Sequence, residues 1–245
     1  MVTNTKIAYI FHGHSRTWDK CYKNFFENVY STLPGDIFIH TWDRVNAANG
    51  SWWNPNGFSS QLQGDQHRIS SQYTDIKGIS EAYKPTMLLV EQDRSYKPLD
   101  YSPIANTNHQ MTQGTPAFIG TKYMLYQSRL AFLLAQAHGN YDYYFSTRLD
   151  VDYPEKLSEQ EATDLLNPDK LSLVPGRSPS DIWAVGPAHL MDIKTQYVDY
   201  IDDYWFQKHP NLHAYGYEMA LVDYLRDKEV PLRDTNFPYE IKRLF

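Results

Sequence analysis

The chain has 245 residues, of which 42% are hydrophobic, enough for a single α/β domain with a substantial core. Its net charge of −6 disfavours a nucleic-acid-binding protein, because no basic stripe that could follow a phosphate backbone is present. The single cysteine, Cys21, excludes an intrachain disulfide and disfavours a cysteine-based zinc site. Neither a signal-peptide pattern nor an apolar run of about 18 residues is found, so we expect a cytoplasmic protein without a membrane span.

The first forty residues have a β-α-β pattern. Residues 6–11 form a nearly continuous apolar run, as expected of a strand covered on both faces. A helix follows to about Tyr30, and Ser15 or Thr17 is placed to cap it. The second strand is predicted at 36–42, and this order favours a parallel pair joined by a right-handed crossover.

Polar side chains follow both of these strands. His12 and His14 form a His-x-His turn, which either binds a metal or hydrogen bonds the backbone or a ligand phosphate. Arg16 in the same turn is placed for a nucleotide phosphate or a substrate carboxylate; the alternative is a surface arginine. Asp43 directly follows the second strand, where other α/β folds hold a nucleotide's base or ribose. His12, Arg16 and Asp43 are therefore candidate nucleotide-binding residues.

Two irregular, polar insertions interrupt the pattern at about 44–84 and 92–114, with a strand predicted between them at 85–91. Long loops inside compact domains are often functional. Trp52 and Trp53 either form a platform for a sugar or pin the first insertion to the domain. Their role stays open at this point.

The remaining elements follow from hydrophobic periodicity. The clearest helix spans about 117–138, with apolar residues three or four positions apart, and Gly139-Asn140 ends it. No internal repeat or sharp change of composition divides the chain, so one domain over 1–245 is predicted. Shorter helices are predicted near 75–83, 159–166, 187–204 and from 216, and short strands at 171–174 and 181–186.

Two aspartates follow the strand predicted at 142–149. Side chains alternate along an extended chain, so Asp150 and Asp152 can point to the same side and share one divalent cation. Mg²⁺ and Mn²⁺ take carboxylate oxygens and bridge to substrate phosphates, and α/β proteins place ligands at the carboxyl edge of a parallel sheet. The alternative is a solvated turn or the cap of the next helix.

Four segments, in this order, resemble GT-A-fold glycosyltransferases of the type found in bacterial lipopolysaccharide and capsule biosynthesis. They are Asp36-Ile-Phe-Ile-His-Thr-Trp42, Arg148-Leu-Asp-Val-Asp152, Asp181-Ile-Trp-Ala-Val-Gly186 and Gly216-Tyr-Glu218. The resemblance implies an α/β fold with a single GT-A-like, Rossmann-like domain, in which helices flank a central, mostly parallel sheet.

The resemblance also implies a nucleotide-sugar donor, a Mn²⁺ or Mg²⁺ ion, and a glycan or lipid-linked acceptor, which could bring the protein to the inner face of a membrane. Within that family Asp150 and Asp152 would bind the ion and the donor, with Asp152 the more direct metal ligand. The ion would stabilise the departing nucleoside diphosphate. Arg148 either assists there or pairs with a nearby carboxylate, and His12, Arg16 and Asp43 become candidate donor-binding residues.

An inverting transferase needs a general base for the acceptor hydroxyl, whereas a retaining one does not. Similar transferases carry an acid at the start of a late helix, which makes Glu218 the first candidate. Its alternative role is to stabilise the helix dipole. Asp181 is the second candidate, as base or as ligand of donor-sugar hydroxyls. His213 corresponds by position only to a late histidine that completes the metal shell in some relatives.

Two other classes of protein remain as alternatives. A nucleotidyltransferase would also place acids and a metal at an α/β sheet, but it usually has a Gly-rich, basic loop near the N-terminus, and residues 12–16 are poor in Gly and Lys. A non-catalytic carbohydrate-binding module would use the abundant aromatic residues. The retained Asp150 and Asp152 disfavour such a degenerate module.

Overall fold

A computed structural model describes residues 5–45, 72–92, 115–173, 182–202, 217–235 and 237–242, with backbone alone at 115–121, 202 and 217–219. Within these ranges the strands are β1 (Ile7–His12), β2 (Asp36–Trp42), β3 (Met87–Glu91), β4 (Tyr143–Arg148), β5 (Val151–Asp152), β6 (Leu171–Leu173), β7 (Trp183–Pro187), β8 (Leu232–Asp234) and β9 (Glu240–Ile241). The helices are α1 (Trp18–Phe25), followed by a π-helical turn (Phe26–Tyr30), α2 (Ile76–Tyr83), α3 (Thr115–His138), α4 (Glu159–Leu165), α5 (Ala188–Asp202) and α6 (Tyr217–Asp227).

Seven strands form one sheet in the order β3-β2-β1-β4-β7-β6-β8. The pairings from β3 through β4 are parallel, as is β6 with β8, whereas β7 is antiparallel to both of its neighbours. This confirms the predicted α/β class with a mostly parallel sheet flanked by helices. The extent of one domain over 1–245 stays a prediction.

The connections diverge at the β1–β4 pair. From β1 the chain continues to β2 and β3 on one side, while β4 lies on the other side of β1. In open α/β sheets the crevice outside the carboxyl ends of two such strands is where ligands bind. The topology therefore singles out the residues that follow β1 and β4.

Side chains of the central strands alternate between two hydrophobic cores, one on each face of the sheet. Ala8 and Ile10 of β1 pack in the core that includes α3, α5 and α6. Tyr9 and Phe11 pack in the core that includes α1, α2 and α4. Burial of an apolar side chain of this size stabilises the fold by about 1.5–3 kcal/mol. Because both faces are covered, β1 and β4 form a rigid support for the residues at their ends.

The helix α1 begins where the sequence predicts, but its predicted side-chain cap is wrong. Thr17 is the residue before the helix and makes no capping hydrogen bond. Its hydroxyl instead donates to the carbonyl oxygen of Lys242 at 2.8 Å. The hydroxyl of Ser15, the other predicted cap, lies 3.0 Å from that of Thr74. Tertiary partners take both hydroxyls, so the local capping rule does not apply.

Most other predicted elements are found within a few residues of their expected bounds. Trp52 and Trp53 of the first insertion lie outside the described residues, so their role stays open. The sequence did not predict β5, β8 or β9, each of which has only two or three residues. No helix in the described ranges is both long and apolar enough to cross a membrane.

Candidate active site

The candidate site lies at the carboxyl ends of β1 and β4, where His12 and Arg148 are direct neighbours in the sheet register. The turn after β1 has an unusual backbone, with φ of 103° at Gly13 and 28° at Arg16. A positive φ costs free energy for a residue other than glycine and persists only where the surroundings fix it. The side chain of Arg16 is paired with Asp150.

Two arginines hold the carboxylate of Asp150, whose side chain is only 1% exposed. Arg148 binds it with two hydrogen bonds, from Nε to Oδ1 at 2.9 Å and from Nη2 to Oδ2 at 2.7 Å. Nη1 of Arg16 donates to Oδ2 at 3.0 Å. Arg16 is therefore not a surface arginine, and the pairing predicted as one of the two roles of Arg148 is present.

Asp152 has weaker partners, although its side chain is only 5% exposed. The side-chain amide of Asn24, on α1, donates to Oδ1 at 2.8 Å. Nζ of Lys242 lies 3.3 Å from Oδ2. The same ammonium group donates to Oε2 of Glu240 at 2.6 Å. The sequence singled out neither Asn24 nor Lys242 for this site, because no local pattern links them to Asp152.

Residues 240–242, called the C-terminal strap, cross the two aspartates. The prediction that both aspartates follow one extended strand is wrong. Asp150 and Asp152 do not lie on one extended strand, because β4 ends at Arg148 and a turn at 149–150 precedes β5. Asp152 instead pairs with Glu240 of the strap. The two carboxylates nevertheless lie near one buried thiol: burial, followed by the negative charges of Asp152 and Asp150, raises the pKa of Cys21 to about 12.

Both histidines of the turn are neutral at physiological pH. His12 is 1% exposed, and neither of its ring nitrogens has a hydrogen-bond partner in the described part of the chain. Burial, and then the positive charges of Lys194 and Arg148, lower its pKa well below the usual value. Burial, and then Arg16, lower the pKa of His14 to about 3. Nδ1 of His14 lies 3.4 Å from the backbone oxygen of Arg44, one of its predicted roles.

The carboxylates differ in their capacity to bind a metal. Across the described ranges no group of three or more His, Cys, Asp or Glu side chains is arranged to hold an ion. A carboxylate offers about four lone-pair positions. Asp150 already accepts three N–H groups, whereas Asp152 accepts one amide and a longer ammonium contact. Asp152 is therefore the carboxylate with lone-pair positions left that a hard divalent ion could use.

Of the remaining predicted site residues, the structure describes the side chain of Asp43 only. Asp43 lies at the carboxyl end of β2, with a backbone N–H that donates to Glu91 at 2.8 Å and a carboxylate 3.9 Å from Nε of Arg44. Glu218 is the second residue of α6, where only the backbone is described. Asp181 and His213 lie outside the described residues. The assignments of Glu218 and Asp181 as bases therefore stay predictions.

Comparisons with known proteins add little to this geometry. No protein family and no curated protein matches the chain. One solved structure with some similarity, from Desulfovibrio desulfuricans G20, is provisionally described as a nucleotide-diphospho-sugar transferase. It is 12% identical, with a TM-score of 0.42, over 94% of this chain and 79% of that chain. Similarity at this level carries no argument about activity.

Proposed function

We propose that this protein is a metal-dependent glycosyltransferase that moves a sugar from a nucleotide-sugar donor to a hydroxyl of a glycan or lipid-linked glycan. The observation that carries the proposal is the position of Asp150 and Asp152 outside the carboxyl ends of β1 and β4, where the strand connections diverge. Two nearly buried carboxylates are costly in a folded protein unless they are paired or serve a ligand. Here both are paired, and Asp152 retains acceptor capacity.

The proposed ion is Mn²⁺ or Mg²⁺, with Asp152 as its direct ligand and Asp150 beside it. When bound, such an ion acts as a Lewis acid toward the diphosphate that departs from the donor. Arg148 and Arg16 fix the orientation of Asp150. Arg16 is 17% exposed and borders solvent, which supports a role for its guanidinium group in binding a donor phosphate.

In the proposed reaction the acceptor oxygen forms a bond to C1 of the donor sugar. The bond between C1 and the diphosphate oxygen breaks, and its electron pair leaves with the diphosphate. An inverting reaction passes the acceptor proton to a base, for which Glu218 and Asp181 are the candidates. A neutral His12 has one N–H that can donate to a phosphate or hydroxyl oxygen and one lone pair that can accept from a sugar hydroxyl.

The first test measures transfer and hydrolysis with a panel of nucleotide sugars, with Mn²⁺ or with EDTA. We expect metal-dependent release of one nucleoside diphosphate, reduced about a hundredfold or more in Asp152→Asn because the ion loses its main ligand. Asp142→Asn is the matched control, since Asp142 lies before the amino end of β4 and accepts a hydrogen bond from the backbone of Lys6. The proposal would be overturned if the protein turned over no donor and if no nucleotide stabilised it thermally in a metal-dependent way.

A further inference from the structure

The C-terminal strap brings a lysine to the aspartate proposed to bind the ion. We propose that Lys242 is an exchangeable cation of the site. In the unliganded protein its ammonium group neutralises Asp152, and when an ion occupies Asp152 the ammonium group binds the diphosphate of the donor instead. This inference rests on the proposed function and adds a diphosphate-binding residue to the donor site.

The backbone of the strap is fixed independently of the lysine side chain. The backbone N–H of Lys242 donates to the carbonyl oxygen of Asp150 at 2.9 Å. Its carbonyl oxygen accepts the hydroxyl of Thr17 at 2.8 Å. The adjacent Ile241 pairs with Val151 across the β5–β9 ladder. The ammonium group can therefore change partner while the strap stays in place.

The ammonium group is held loosely compared with the guanidinium groups at Asp150. Its distance of 3.3 Å from Asp152 exceeds the roughly 2.7–2.9 Å of a strong charge-assisted hydrogen bond. The shorter contact, 2.6 Å, is to Glu240, which is 58% exposed. Lys242 itself is 37% exposed, whereas Asp152 is 5% exposed. A lysine is a point charge on a flexible stem, so it exchanges partners more readily than a bidentate arginine.

Charge balance gives the exchange its direction. Of the two side chains that contact Asp152 in the described residues, Lys242 carries a positive charge, whereas the amide of Asn24 is neutral. An ion at Asp152 would repel an ammonium group at that distance. A nucleoside diphosphate carries more negative charge than one divalent ion neutralises, so the displaced ammonium group gains a phosphate partner. Lys242 therefore competes with the ion alone but supports the ion together with the diphosphate.

The test compares two binding constants in Lys242→Gln. One is the affinity for Mn²⁺ alone, measured from the electron paramagnetic resonance signal of the free ion. The other is the affinity for UDP, GDP, CDP and ADP with saturating Mn²⁺, measured by calorimetry. We expect Mn²⁺ alone to bind about threefold to tenfold tighter, and the nucleoside diphosphate that binds the parent protein to bind about tenfold weaker, the size of one charge-assisted hydrogen bond. Lys242→Arg keeps the charge and should change the nucleotide affinity much less.

Lys77→Gln is the matched control, because it removes the same charge from an 86% exposed side chain on α2. A purely structural role for Lys242 would weaken both affinities and lower the unfolding midpoint. The inference would be overturned by that result, by no change in either affinity, or by a change in only one of them. If the parent protein binds neither Mn²⁺ nor any of the four nucleotides, the proposed function itself fails.

Discussion

At the scale of single residues, the two aspartates have different surroundings despite their similar burial. Asp150 is held from two sides by guanidinium groups, which leaves its oxygens largely occupied. Asp152 is held by one amide and one loosely placed ammonium group. The first arrangement suits a residue that keeps a fixed orientation, and the second suits a residue that exchanges partners with a ligand.

The hold on Asp150 can be tested with two conservative substitutions. Arg148→Lys should lower the free energy of unfolding by about 1–3 kcal/mol, because an ammonium group cannot reproduce two parallel hydrogen bonds to a buried carboxylate. Arg16→Lys is the matched comparison, since Arg16 donates one hydrogen bond to the same carboxylate. We expect Arg16→Lys to lower the free energy of unfolding by less. Urea denaturation of both variants measures the difference, and equal losses would contradict a special role of the bidentate pair.

At the scale of elements, the turn before β2 packs closely against the start of the strand β1. Gly35 lies in that turn, and a Cβ atom added there would meet the backbone carbonyl oxygen of Ile7 well inside contact distance. Backbone atoms of a central strand cannot move aside as the end of a flexible side chain can. Gly35 therefore allows this close packing, in addition to ending the preceding helical segment with Pro34.

We expect Gly35→Ala to lower the free energy of unfolding by about 1–3 kcal/mol, the usual cost of inserting atoms into a packed site. Gly139, after α3, has no atom within 4 Å of an added Cβ. Gly139→Ala should therefore change stability by no more than about 0.5 kcal/mol. Urea denaturation of the two variants side by side is the measurement. A Gly35→Ala protein as stable as the Gly139→Ala protein would show that β1 and the turn can separate at little cost.

At the scale of the whole molecule, the neutral histidines link stability to pH. Burial lowers the pKa of His12 and His14 in the folded protein, while in the unfolded chain a histidine has a pKa of about 6.5. The unfolded chain therefore binds more protons below that pH, and acid favours unfolding. Stability should be complete above about pH 6.5 and fall as the pH decreases, for His14 down to a pH of about 3.

The expected slope is up to about 1.4 kcal/mol per pH unit for each histidine. Urea denaturation between pH 7.5 and 5 measures it. His14→Gln should flatten the decline, whereas His189→Gln, at an exposed position on α5, should leave it unchanged. A decline of the same slope in His14→Gln and in the parent protein would show that His14 does not contribute to the acid sensitivity.

The sequence by itself determined the α/β class and the bounds of the larger elements. Apolar runs, residues repeating every three or four positions, and Pro-Gly or Gly-Asn turns are local signals, and they placed β2 at Asp36–Trp42 without any tertiary information. The sequence also marked Asp150 and Asp152, because two acids at the end of a buried strand are a recognisable pattern.

Only the tertiary structure decided what those acids contact. Arg16 lies 134 positions from Asp150 in the sequence, and Lys242 reaches Asp152 through a two-residue strand that exists only because β5 pairs with it. The hydroxyl of Thr17 binds the same strap instead of capping its own helix. Such contacts depend on chain segments that meet in the folded state, and neither periodicity nor spacing carries information about which distant charges will face one another.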